Sequence, residues 1–176
     1  MSEKFIGRPR CFTREYIERK RVEKGLTSLA NLEKALFALE YVGQLEESGL
    51  SFVFKGGSAV QILLGDRWSR LSTDVDITTG ADHEEIKKHL SGINRKFRGK
   101  CFSYEKRRVF NSGVPFYLYR LKTMPITGSE RAFLLDIMGE EVDYNTQNTP
   151  LNSFFYESNI KVDTPTTKYL EISYRF

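Results

Sequence analysis

Between Phe52 and Thr79 the chain reads FVFKGGSAVQILLGDRWSRLSTDVDITT. This stretch concentrates residue types that do chemistry on phosphates. Gly56 and Gly57 follow a short apolar and aromatic run and precede a helical pattern from Ser58 to Leu64. Two glycines let a ligand approach the main chain closely. A helix that starts directly after them turns unbonded N–H groups and the positive end of its dipole towards the turn, an arrangement that binds phosphate. Ser58 adds a hydroxyl and Lys55 a charge. A P-loop is excluded, because no Gly-Lys-Ser/Thr stands at the required spacing. A plain strand-to-helix turn with Ser58 as N-cap is the competing reading, and both stay open at this point.

Asp74 and Asp76 come next. On a strand, residues two apart face the same side, about 7 Å apart. Paired carboxylates repel unless a cation sits between them. Mg²⁺ takes hard oxygen ligands, commonly one or two carboxylates plus substrate phosphates, and Mn²⁺ accepts the same donors. Val75 and Ile77 are apolar, so the two acids belong on the face opposite the core. Asp136 lies inside the apolar run Phe133-Leu-Leu-Asp-Ile-Met138, where a buried, unpaired charge is costly. Either it meets water, or it shares a cation with other acids. If its strand lies beside that of Asp74, three carboxylates converge, as in two-metal phosphoryl or nucleotidyl transfer.

The elements that must position these residues are legible in outline. Residues 11–24 read as a short basic helix. Residues 28–48 read as a longer one, with Leu29, Leu32, Ala35, Leu36, Leu39, Val42 and Leu45 near the 3.6-residue period and Gly49 as a stop. Strands are expected at Ser51–Phe54, Thr73–Thr79 and Ala132–Met138, with a weaker one near Ile160. Asp82 is placed to cap a helix running to about Phe97. Residues 101–110 and 115–123 read as a hairpin around Asn111-Ser112-Gly113. A helix start is expected after Pro165. Mixed helices and strands with an antiparallel hairpin make the class α+β.

The chain has 176 residues, 40% of them hydrophobic and 13% aromatic, an ordinary globular composition. The start MSEKFIGRPR carries no signal-like apolar stretch, and no apolar run approaches the roughly 18 residues of a membrane span. With Cys11 and Cys101 far apart, a disulfide scaffold is excluded and a cytoplasmic location is the expectation. Net charge is only +4, but it is unevenly placed. Lys87 to Arg108 holds Lys87, Lys88, Arg95, Lys96, Arg98, Lys100, Lys106, Arg107 and Arg108 against Glu105. Phe97, Phe102 and Tyr104 interleave with these cations, a pattern that suits single-stranded RNA or a tRNA end, or simply a solvated face over core aromatics. His83 and His89 have no partners at zinc spacing.

Taken together, Lys55-Gly-Gly-Ser58 followed by Arg70-Leu-Ser-Thr-Asp74-Val-Asp76 resembles the AbiEii/AbiGii-type nucleotidyltransferase toxins. Arg70, Ser72, Asp74 and Asp76 fall at that family's spacing, and the resemblance covers residues ~25–170. It implies a DNA polymerase beta-like nucleotidyltransferase fold, a mixed sheet flanked by helices. It also implies use of an NTP with Mg²⁺, and membership of a toxin–antitoxin or phage-defence system with a cognate antitoxin. On this reading Asp74, Asp76 and Asp136 are the metal-binding and catalytic carboxylates. Lys55, Gly56, Gly57, Ser58 and Arg70 hold the nucleotide, although Arg70 suits a structural ion pair equally well.

The expected organisation is a basic N-terminal segment at 1–24, a nucleotidyltransferase core at 25–165, and at 166–176 the start of a truncated or absent C-terminal helical region. That region supplies a further lysine and acid in the family, so two functional readings stand. One is a nucleotidyltransferase that transfers NMP to an acceptor hydroxyl, on RNA or tRNA. The other is a catalytically silent core that binds nucleotide or a partner. A metal-dependent phosphohydrolase or nuclease would also use three carboxylates, but the Gly-Gly-Ser turn, aimed at a triphosphate, disfavours it.

Overall fold

The computed structural model describes residues 4–65, 70–99, 101–110 and 113–166, with the side chains of 107–110 left aside. Its centre is helix α2 (Leu29–Glu47). The Ser28 side chain caps it by accepting the Asn31 N–H, and Gly49, at φ +82°, leads the chain away after it. From Leu32 to Leu45 almost every position is buried, polar ones included. Helix α1 (Arg14–Glu23) packs against it. This helix is shorter than the expected 11–24, because Pro9–Phe12 forms a 3₁₀ turn and Thr13 is the N-cap.

A five-stranded sheet has the order β1-β2-β5-β4-β3. Its strands are β1 (Val53–Lys55), β2 (Val75–Thr79), β3 (Phe102–Phe110), β4 (Phe116–Thr123) and β5 (Arg131–Gly139). β2 and β5 run parallel, and the other neighbours are antiparallel. Helix α3 (Gly56–Leu64) follows β1, and helix α4 (His83–Lys96), capped by Asp82, follows β2. The class is therefore α+β. Alternation decides the faces: Val75, Ile77, Phe133, Leu135, Ile137, Tyr119 and Leu121 are buried in the core with α2, and Asp76, Asp136, Leu118 and Arg120 fall on the opposite face. A separate pair, β6 (Thr146–Pro150) and β7 (Lys161–Pro165), includes one strand that the sequence pattern does not announce. Residues 111–112 of the expected turn and the helix expected after Pro165 lie outside the described residues, except Thr166, which is in no helix.

The buried acids of α2 tie distant chain to the core. Glu40 is fully buried and accepts four hydrogen bonds: from the Ile6 and Gly7 N–H groups at 2.9 Å each, the Gln44 amide at 2.6 Å and the Tyr156 hydroxyl at 2.9 Å. Burial pushes its carboxyl up, and these donors pull it back. Glu33, also fully buried, accepts from Ile126 and Thr127 and from Arg131 Nε at 3.2 Å. It thereby fixes the β4–β5 connection against α2.

Glu40→Gln keeps the shape but replaces one acceptor with a donor among donors. A loss of about 1–3 kcal/mol in urea unfolding is expected; unchanged stability would mean that these bonds hold nothing.

Candidate active site

The register between β2 and β5 pairs Asp76 with Asp136 directly, and that between β1 and β2 pairs Lys55 with Asp76. Leu118 of β4 completes the row beyond Asp136. One line across the sheet thus reads Lys55, Asp76, Asp136, Leu118, at about 4.8 Å per strand. Asp74 stands just before β2, and its Oδ1 accepts the Leu134 N–H at 3.0 Å.

The electrostatics of this row are unfavourable as they stand. Asp76 is pushed up to about 6, first by burial and then by the charges of Asp136 and Asp74; Lys55 opposes the shift. Asp136 is raised too, by burial and by Asp74. Its Oδ1 is buried and has no hydrogen-bond partner among the described residues. The Lys55 ammonium is half-buried, its pKa lowered by that burial, and it donates to Met138 Sδ at 3.5 Å. Hard carboxylate oxygens, mutually repelling and one of them unbonded, fit a Mg²⁺ ion chemically. Among the described residues no three His, Cys, Asp or Glu side chains come close enough to form a ready cluster.

The glycines are explained by contact as well as by phosphate. Gly56 sits at φ +72°, and a Cβ there would fall 2.0 Å from Asp76 Oδ2. A Cβ at Gly57 would fall 2.7 Å from Ser72 Oγ. Helix α3 begins at Gly56 with Lys55 as N-cap and no side chain capping it, so its first N–H groups remain open to a ligand. Ser58 is neither the N-cap nor a free hydroxyl. It is buried, and its Oγ donates to the Asp74 carbonyl at 2.5 Å. Its hydroxyl proton therefore positions the Asp74–Asp76 segment and is not free for a ligand. Arg70 is exposed and forms no ion pair among the described residues, so the structural-pair alternative finds no partner there.

Gln61 was not visible as a site residue. It lies buried in the apolar stretch Ala59-Val-Gln-Ile62, and its Oε1 accepts the Ser72 N–H at 3.1 Å. A lone amide in an apolar helix was the available signal. Together, Ser58 and Gln61 fasten the 72–74 segment onto α3.

Of the two readings of the aromatics in the basic segment, the structure favours core packing over a stacking surface. Phe97 and Phe102 are core residues at 3% and 1% exposure, and the partly buried Tyr104 bonds Ser91 through its hydroxyl. Periodicity sends these rings inward, so they are no stacking platform. Lys96 is engaged with Gln44 and Glu47. His83 stacks on Tyr117 and His89 meets Ser48. Cys11 and Cys101 are free, buried thiols. No helix among the described residues is long and apolar enough to cross a membrane.

Residues 40–171 match the family model described as the nucleotidyl transferase AbiEii toxin of type IV toxin–antitoxin systems. No curated protein matches the chain.

Two outcomes test the geometry. A carboxyl raised to about 6 binds a proton more tightly in the folded than in the unfolded state. Its ionisation therefore removes stability as pH rises from about 4 through 6. In EDTA, Asp76→Asn should stabilise the protein at pH 7.5 by about 1–2 kcal/mol after allowance for solvent screening, a rise in Tm of about 2–8 °C. The gain should vanish near pH 4, as read by calorimetry at both pH values; an equal gain at both would refute the repulsion. Gly56→Ala forces a side chain onto Asp76 in a left-handed backbone, and should cost more than about 1 kcal/mol. Denaturant titration reads it, and wild-type stability would contradict the close approach.

Proposed function

Because the chain belongs to the AbiEii nucleotidyltransferase toxin family of type IV toxin–antitoxin systems, we propose that it transfers NMP from an Mg²⁺-bound NTP to an acceptor hydroxyl, on tRNA or another RNA. The observation that carries this reading is the Lys55–Asp76–Asp136 row lying against the open N-terminus of α3. A triphosphate needs N–H donors at one end and cation-binding oxygens at the other. These elements offer both within one strand's width.

Asp76 and Asp136, with Asp74 beside them, are the residues that would hold the metal. When bound, Mg²⁺ supplies charge neutralisation of the triphosphate and of the leaving pyrophosphate. The Gly56–Gly57 turn binds phosphate oxygens through main-chain N–H groups. Lys55, half-buried and in no ion pair among the described residues, is the cation in register with Asp76, and the exposed Arg70 is the second candidate to counter phosphate charge. Asp136, with its unbonded buried oxygen, takes the proton from the acceptor hydroxyl as that oxygen attacks the α-phosphorus and pyrophosphate leaves. Ser58 and Gln61 act on the site only by positioning 72–74. In the cell such an activity would work as a toxin of a toxin–antitoxin or phage-defence system, held in check by a cognate antitoxin.

One observation favours the silent-core reading instead: among the described residues no three ligating groups are gathered. The same assay separates the two. Incubation with each α-³²P-labelled NTP, Mg²⁺ and total RNA should label RNA with the wild type. Asp76→Ala should lower that labelling by at least about 10³-fold, the scale of losing a group that stabilises the transition state. Magnesium-dependent NTP binding without any labelled acceptor would support the silent core, and neither binding nor transfer would refute both.

A further inference from the structure

Beside Asp74, on the side away from the glycine turn, lies a cleft of about 610 Å³ between the start of α2 and strands β4 and β5. Lys34, Arg120 and Arg131 line it, with Glu130 and the exposed Leu134. The register places Arg120 opposite Leu134, and Leu134 donates its N–H to Asp74. Asp74, Leu134 and Arg120 therefore form a second row, one step along from Asp76 and Asp136. Arg131 is committed to Glu33 and Ser129. Lys34 and Arg120 have no ion-pair or hydrogen-bond partner among the described residues. Two unpartnered cations thus face a polar cleft that abuts the carboxylates.

On the reading of the site as a nucleotidyltransferase, the phosphates of the NTP lie at the Gly56–Gly57 turn, on the β1 side of the carboxylates. In-line displacement puts the attacking oxygen opposite the leaving pyrophosphate. The acceptor must then approach from the β4–β5 side, where this cleft is. We propose that the cleft is the acceptor subsite and that its occupant is the 3′ end of a single nucleic-acid strand. Lys34 and Arg120 contact its backbone phosphates, and Leu134 offers an apolar face to the terminal sugar or base. A protein acceptor, whose hydroxyl carries no neighbouring phosphates, would have no use for two unpaired cations there. Lys87, paired with Glu84, and the exposed Lys88 of α4 are the competing polyanion surface.

The test is fluorescence anisotropy with 5′-fluorescein-labelled twelve-nucleotide single strands, one RNA and one DNA of the same sequence, across a range of salt. Lys34→Ala/Arg120→Ala should weaken strand binding about tenfold. It should also reduce the slope of log K against log salt by about 1.4, the loss of two phosphate contacts at about 0.7 each. Lys87→Ala/Lys88→Ala should change neither. Mg-NTP binding by calorimetry should be retained in both double variants and lost in Asp76→Ala. Tighter binding of RNA than of DNA would assign a ribose-dependent acceptor, and equal binding would assign a phosphate-dependent one; both support the cleft. Wild-type strand affinity and slope in Lys34→Ala/Arg120→Ala would overturn the subsite, whatever happens to NTP binding. Failure of the wild type to bind any NTP would overturn the nucleotidyltransferase reading instead, and with it the assignment of the cleft as an acceptor site.

Discussion

The parallel register of β2 on β5 is the constraint on which the site depends. It brings Asp76 and Asp136, sixty residues apart in sequence, onto one line of one sheet face. Their side chains are then held side by side and partly out of water, where neither ionises freely. The fold keeps this arrangement because the alternate residues of both strands are in the core. A slip of one residue would bury the acids and expose Val75, Ile77, Leu135 and Ile137. The apolar half of the alternation thus stabilises what the acidic half destabilises.

Around that row the remaining contacts act as fasteners. Ser58 and Gln61 bind the main chain of 72–74 to α3, so the approach to β2 is fixed by hydrogen bonds to carbonyl and amide rather than by packing. Gly56 allows the turn to lie against Asp76, where any side chain would collide with the carboxylate. On the far side Glu33 holds the β4–β5 connection through Ile126, Thr127 and Arg131, and Arg131 in turn lines the cleft next to Asp74. The buried acids of α2 are therefore structural anchors with several donors each, whereas the acids of β2 and β5 lack such donors. That difference in hydrogen bonding, together with the lesser depth of Asp76 and Asp136, separates an acid that organises the fold from one left available to a ligand.

The cost of the arrangement lies in charge. Three carboxylates near one another, with only Lys55 in electrostatic opposition, are held in place by the rest of the core. Such local strain is characteristic of sites that gain their counter-charge from a ligand.

The local elements were readable from the chain because their determinants are local. Examples are the 3.6-residue period of α2, the Asp82 cap of α4, the alternation of Thr73–Thr79 and the motif pair at Lys55–Ser58 and Arg70–Asp76. The family followed from that spacing. The β6 strand was not readable, since Thr146–Pro150 is polar and carries no alternation of its own. Nor was the inward direction of Phe97 and Phe102, because aromatic residues among cations look alike whether they pack or stack. The sequence by itself determined which residue types could meet a phosphate and a cation, through fixed spacing along a strand and a turn. Only the tertiary structure decided that Asp136 stands beside Asp76, that Ser58 is spent on Asp74, that Gln61 holds Ser72, and that Lys34 and Arg120 share a cleft. Each of those depends on a contact between segments whose register is set by burial across the whole sheet, and no short-range pattern encodes it.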